Sequence, residues 1–211
     1  MAMNKLVCGW GINDVDYQIQ ANRPYLDNGI KKYITEFDCP YYRRWSHMLM
    51  RCYSDKFKPK NPTYRNTTVC DEWRHFSKFR AWMEAMPWHG NELDKDILGD
   101  GSHYSPSTCC FVPKSVNVFW TKCDEKGSSL VGASFHKASG RYRAQCNVGK
   151  HRKALGYFNS ELEAHAAWVR AKAESLAILL GSVNLEERVV RGMKRRLSFF
   201  EERLKVGELT Q

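Results

Sequence analysis

No run of about 18 apolar residues occurs anywhere in the 211 positions, so no membrane-spanning helix is encoded. The opening, MAMNKLVCGWGINDVDY, lacks a long apolar stretch. No signal peptide is read there, and cytoplasm is the expected compartment. The eight cysteines include no Cys-x-x-Cys pair. That excludes a standard zinc ribbon or knuckle and leaves isolated thiols, expected to be reduced. Internal repeats and low-complexity tracts are also missing. The most telling absence is acid: no Asp or Glu stands from residue 127 to residue 160, while six Lys or Arg do.

Hydrophobic residues make up 43% and aromatics 13%, enough for one large core or two small ones. The formal net charge is +10, which points to a polyanionic partner. The charge is uneven: residues 1–127 carry 18 Lys/Arg against 15 Asp/Glu, and residues 128–211 carry 15 against 8. A merely solvated basic surface is the plainer reading, but here the charge coincides with a strand pattern rather than a tail.

Residues 1–40 are punctuated by Gly9, Gly11, Asn13, Asp14, Pro24, Gly29 and Pro40, and read as an irregular opening segment with at most short strands. Trp45, Met48, Leu49 and Cys52 recur at helical spacing and predict a helix over 41–53. A polar, proline-broken loop follows over 54–67. Trp73, Phe76, Phe79 and Met83 then predict a helix over 71–85, with Asp71 as its N-cap. Residues 91–120 read strand, Gly/Ser/Pro-rich loop, the apolar CCFV strand, then a helix from about 113. Residues 121–129 read as a linker. At the end, Val189, Met193, Leu197 and Phe200 alternate with basic residues and predict a helix over 185–204. Cys52, Cys70, His75 and Cys109 could converge on a metal, although isolated cysteines are ordinarily small buried hydrophobes.

Residues 132–180 hold three strand-like runs and one amphipathic helix. Over 141–148, Arg141, Arg143, Gln145 and Asn147 point one way, and Tyr142, Ala144, Cys146 and Val148 the other. Gly140 and Gly149-Lys150 suit hairpin turns. A third strand over 153–158 ends at Asn159-Ser160, a helix cap. On the helix that follows, Leu162, Ala166, Val169, Ala173 and Leu176 form the expected buried stripe.

The runs Gly140-Arg141-Tyr142-Arg143-Ala144, Leu155-Gly156-Tyr157-Phe158 and Glu163-Ala164-His165-Ala166-Ala167-Trp168 resemble the Apetala-type (ethylene-response-factor) DNA-binding domain, in the same order and over about fifty residues. The resemblance implies a sheet laid in the major groove of double-stranded DNA. His136, Lys137, Arg141, Arg143, Gln145, Lys150, Arg152, Lys153 and Tyr157 are its candidate contacts, with the lysines expected to face solvent or phosphate. Trp168 is expected to pack rather than touch DNA.

The strand–loop–strand–helix of 91–120 resembles, in divergent form, the ββα-metal module of HNH-type nucleases. Asp94-Lys95 stands where that motif has Asp-His, Thr108-Cys109-Cys110-Phe111 where it has Asn-Leu-x-Trp, and Asn117 where it has a final Asn. Residues 9–17 (GWGINDVDY), 42–53, 69–79 and the two runs Leu-Asp-Lys-Asp-Ile-Leu and Tyr-Ser-Pro-Ser-Thr-Cys are similar to a family of phage-encoded, homing-type HNH proteins with an Apetala-type domain behind. The resemblance implies that Asp94 and Asn117, with Asp96 as a further carboxylate, hold Mg²⁺ or another divalent ion against a phosphate. Lys95 replaces the expected general base, and an ordinary lysine is a poor one near neutral pH. His103 is the candidate substitute imidazole. Thr108 replaces an amide that braces the loop.

The expected fold is therefore α+β: an HNH-like module over 1–125, a three-stranded antiparallel sheet packed on one helix over 126–182, and a basic C-terminal helix over 183–211. Three functions stay open. The first is a phage DNA endonuclease, a nicking one, acting in host cytoplasm. The second is a catalytically dead DNA-binding regulator or replication/packaging accessory. The third is an RNA-binding protein, since basic sheets also serve RNA.

Overall fold

The computed structural model describes residues 6–120, 130–148 and 151–209. Among them are five α-helices and several small sheets, a mixed α+β protein. The chain divides into two compact units, Met1–Val112 and Pro113–Gln211. The division falls ahead of residues 121–129, which lie outside the described residues, as do Gly149 and Lys150. No helix of the described residues is long and apolar enough to cross a membrane.

In the first unit, residues expected to be irregular form a long hairpin. Strands β1 (Gln20–Asp27) and β2 (Ile30–Asp38) pair antiparallel. They are joined by Asn28 and Gly29, both at positive φ (50° and 78°), the geometry of the two-residue turn whose twist matches paired strands. Asn-Gly was the available signal. It was masked because apolar and charged residues are mixed on both faces, so no period-two alternation stands out.

Helix α1 (Pro40–Tyr53) begins with proline in its first turn, where a missing N–H costs nothing. It buries Trp45, Met48, Leu49 and Cys52 as the spacing predicts. The helix expected over 71–85 is broken in two. Asp71–Arg74 is a single 3₁₀ turn, His75 is extended, and α2 runs Phe76–Glu84. The break has a cause. Ile12 pairs in parallel with His75, donating to Arg74 O (2.8 Å) and accepting from Phe76 N (3.0 Å). Asp71 is therefore not the N-cap of this helix. Asp14 serves it instead, accepting from Ser77 N (2.9 Å) and Ser77 Oγ (2.6 Å).

Trp45, Trp73, Phe76, Phe79, Met83, Tyr104 and Phe111 fill one core, with Trp45 Nε1 donating to Trp73 O at 2.7 Å. Gly11 lies against it so closely that a Cβ would stand 2.2 Å from Leu49 Cδ1. Two short sheets close the unit. Strand β3 (Thr68–Val69) runs parallel to β5 (His103–Tyr104), and β4 (Glu92–Asp94) pairs antiparallel with β6 (Cys110–Val112), Asp94 opposite Cys110.

The second unit opens with the four-residue α3 (Lys114–Asn117). Strands β7 (Ala133–His136), β8 (Arg141–Val148) and β9 (His151–Phe158) form an antiparallel sheet in that order. Helix α4 (Glu161–Ser182) follows a complete capping box: Glu163 N donates to Ser160 Oγ at 3.1 Å, and Ser160 N returns a bond to Glu163. The buried stripe of α4 is rotated from the one expected. It runs through Ala164, His165, Trp168, Val169, Lys172 and Leu176, while Leu162, Ala166 and Ala173 are half-buried. Large rings set the rotation: Trp168 lies on Gly132, and His165 Nδ1 meets Val131 O at 2.6 Å. Helix α5 (Glu187–Leu209) buries Val189, Met193 and Phe200, and the Phe200 ring stands edge-on to Trp168 at 5.1 Å.

Candidate nucleic-acid interface

The β8 alternation separates two faces as the sequence predicts. Ala144 and Cys146 are buried, while Arg141 and Asn147 are exposed and Arg143 and Gln145 half-buried. Cross-strand register then gathers each rung of the outer face: His136 with Arg141, Ser134 with Arg143 and Tyr157, Gln145 with Ala154, Asn147 with Arg152. Three strands about 4.8 Å apart span roughly 10 Å, close to the roughly 12 Å width of a B-DNA major groove.

Two local arrangements hold this face. Arg141 donates through Nε (3.3 Å) and NH2 (3.0 Å) to Asn159 Oδ1, tying its guanidinium to the residue before the α4 cap. The His136 ring stands against Tyr157 at 5.2 Å, and its Nδ1 bonds Ser139 Oγ at 2.9 Å. Arg143 Nε is out of solvent with no hydrogen-bond partner.

Lys153 departs from the other candidates. A bulge between Ala144 and Gln145 on β8 is matched by the extra residue Leu155 on β9, which resets the alternation. Lys153 thereby stands opposite Cys146 on the helix side of the sheet, and Arg152 moves to the outer face opposite Asn147. Lys137 is exposed in the β7–β8 turn rather than on a strand. Lys150 lies outside the described residues. Ser134 and Asn159 belong to this surface and were not singled out as contacts from sequence. The period-two pattern would have found Ser134, two residues before His136.

In the first unit, Asp94, Lys95 and Asp96 hold the start of the β4–β6 connection. Asp94, buried at 5% exposure, accepts at Oδ1 from Asp96 N and Ile97 N, both at 2.8 Å. These bonds end the strand after three residues. Burial pushes the Asp94 carboxyl above the usual carboxylate range, the Asp96 charge adds to the rise, and the two N–H bonds oppose it. Lys95 Nζ donates to Asp96 Oδ1 at 2.7 Å and lies over the rings of Tyr64 (5.4 Å) and Tyr104 (5.8 Å). Gly101, at φ 78°, makes room for that pair, since a Cβ there would stand 2.3 Å from Asp96 Oδ1.

His103 Nδ1 bonds Thr68 Oγ1 at 2.7 Å across the β3–β5 pair. Thr108 does brace its loop. Its hydroxyl donates to His103 O at 2.7 Å and accepts from Ser105 N at 3.0 Å. Tyr104 is fully buried, and burial pushes its hydroxyl well up while the Arg51 guanidinium opposes the rise. Asn117 ends α3 in the second unit.

Cys52, Cys70, His75 and Cys109 do not assemble. His75 faces Asp14 at 3.3 Å. Burial pushes the Cys52 and Cys109 thiols up to about 12, the behaviour of inert core thiols. Among the described residues, no group of three or more His, Cys, Asp or Glu side chains is set to hold a metal ion.

No protein-family model, curated protein or solved structure matches this chain.

Proposed function

We propose that this protein binds double-stranded DNA through the outer face of the β7–β8–β9 sheet. The observation that carries the reading is the register. It sets Arg141, Arg143, Gln145, Arg152, His136 and Tyr157 on one acid-free face. Arginine is the side chain best suited to fork onto guanine or phosphate oxygens. Sequence choice belongs to Arg143 and Gln145 near the middle of β8, and positioning to the flanking cations.

The first unit is, in this proposal, a scaffold that does not cut. Lys95 stands where a proton acceptor is needed, and its ammonium is engaged by Asp96 and two tyrosine rings. Asp94 Oδ1 already accepts from two backbone N–H groups, and Asp96 Oδ1 accepts from that ammonium. The Lys95 ammonium neutralises Asp96 and so competes with any divalent ion for that carboxylate.

Two measurements test the proposal. Anisotropy titrations of labelled duplex DNA over a salt series should show Arg143→Ala binding about tenfold more weakly, with a salt slope lower by about one if a phosphate contact is lost. Unchanged affinity and slope would remove the sheet from the interface, and preference for duplex RNA would replace DNA as the ligand. Supercoiled plasmid with Mg²⁺ or Mn²⁺ should stay intact. Nicking that chelator abolishes and Asp94→Ala eliminates would overturn the non-cutting half of the reading.

A further inference from the structure

The β1–β2 hairpin is unlike the rest of the chain. It exposes Tyr25 (43%), Leu26 (74%), Ile30 (64%), Tyr33 (62%), Ile34 (48%) and Phe37 (46%) to solvent. An isolated two-stranded ribbon is marginal in water, and strands of eight and nine residues with such a surface are a ready template for pairing. Its charge is also different. Arg23, Lys31 and Lys32 are balanced by Asp27, Glu36 and Asp38, in a chain of net charge +10. Arg23 is already paired with Glu36 at 2.6 Å, and Lys32 with Asp27. With two of the three cations already paired, a phosphate backbone finds little free positive field here, whereas a neutral patch is where two copies of a strongly basic chain meet with least repulsion.

The two edges of the ribbon are not equivalent. Pro24 stands opposite Tyr33, and proline has no N–H to give to a ladder. Its nitrogen therefore faces outward, and the outer edge of β1 is interrupted. Because inward and outward groups alternate along an antiparallel strand, the outward N–H and C=O groups of β2 belong to Lys31, Tyr33 and Thr35. No proline interrupts Ile30–Asp38.

The order of charges along β2 then selects the partner. The strand is cationic at its beginning (Lys31, Lys32) and anionic at its end (Glu36, Asp38). An antiparallel strand of the same sequence centred on Ile34 sets Ile34 against Ile34, Tyr33 against Thr35 and Lys32 against Glu36, and the bulge that leaves Glu36 without a partner on β1 ends the ladder there. In this register the outward amides and carbonyls of Tyr33 and Thr35 meet on both sides of the axis, and the Lys32 ammonium meets the Glu36 carboxylate.

We propose that β2 pairs antiparallel, across a two-fold axis at Ile34, with β2 of a second copy of this chain, forming a continuous four-stranded sheet in the order β1-β2-β2-β1.

The test is a charge swap in the full chain, read by sedimentation equilibrium over a range of concentration. Wild type should approach twice the monomer mass. Lys32→Glu and Glu36→Lys should each weaken self-association about tenfold, because each sets like charges on two symmetry-related rungs. An equimolar mixture of the two variants should restore it, since both rungs of the mixed dimer are then complementary. Wild type that stays monomeric at every concentration, or a dimer that neither substitution weakens, overturns the proposal. Amide exchange gives a readout that needs no variant: the Tyr33 and Thr35 N–H groups of wild type should slow as concentration rises. Protection that is independent of concentration, or that appears only on adding duplex DNA, overturns it and in the latter case assigns the hairpin to DNA.

Discussion

A Cβ added to Gly132 would stand 2.1 Å from Cγ of Trp168. Backbone and indole are in direct contact, at a residue whose φ of 82° already favours glycine. This contact seats α4 behind the β7–β8–β9 sheet. Gly132→Ala should destabilise the second unit by about 2–4 kcal/mol, combining overpacking with backbone strain. Gly140→Ala is the control: its φ is 63° but nothing lies within 4 Å of the added carbon, so it should cost only about 1 kcal/mol. Urea melts of the two variants measure the difference. Equal losses would show that the indole yields.

The cap supplied by Asp14 makes a second prediction. Asp14→Ala should cost about 1 kcal/mol, the usual worth of a helix cap. The effect should depend on pH. Burial pushes the Asp14 carboxyl up, but the Ser77 hydroxyl and amide together with His75 outweigh it, and the net shift is downward. A carboxyl lowered in the folded state adds stability that is present above its unfolded value, about 3.9, and lost as pH falls through the folded one. The gap between wild type and Asp14→Ala in thermal melts should therefore be full at neutral pH and narrow in strong acid.

Such a cap marks where sequence reading stopped. The β7–β8–β9 sheet and its helix were legible because their signals are local: Arg141 to Cys146 alternate, and Ser160 and Glu163 stand three apart. Helix α1 was legible for the same reason. The Asp14–Ser77 bonds join residues 63 positions apart, and nothing near Asp71 announces that Ile12 will pull His75 out of the helix. Lys153 shows a subtler limit. One extra residue, Leu155, inverts the face of everything before it on β9, and a bulge has no signature in alternation. At the β4–β6 turn the residue types were visible, but not that Lys95 and Asp96 would satisfy each other.

That turn carries a prediction of opposite sign to the one for Asp14. Burial holds the Asp94 carboxyl above its usual range. The folded state therefore takes up its proton before the unfolded chain does, and ionised Asp94 is a burden that grows as pH rises through the folded value. Asp94→Asn keeps an oxygen for Asp96 N and Ile97 N without the charge. The variant should melt higher than wild type at neutral pH, and the advantage should vanish below the ordinary carboxylate range. A variant that melts lower at neutral pH would show that those two N–H bonds need a full carboxylate.

Lys172 is the residue that composition least suggests as core. It is 3% exposed on α4, donates to Phe119 O at 2.7 Å, and lies 4.1 Å from the Phe119 ring centroid and 5.4 Å from that of Trp120. A buried ammonium is tolerated when a carbonyl and aromatic faces replace its water. Lys172→Met keeps the stem and removes the donor, leaving the Phe119 carbonyl unanswered, and should cost about 1–3 kcal/mol. Lys172→Ala adds a cavity beneath two aromatic rings and should cost about 2–5 kcal/mol. Tryptophan fluorescence during urea unfolding follows both, because Trp120 and Trp168 flank the ammonium. If Met proves as stable as lysine, the residue is held by its stem alone. If Met and Ala lose equally, the hydrogen bond to Phe119 carries the whole effect.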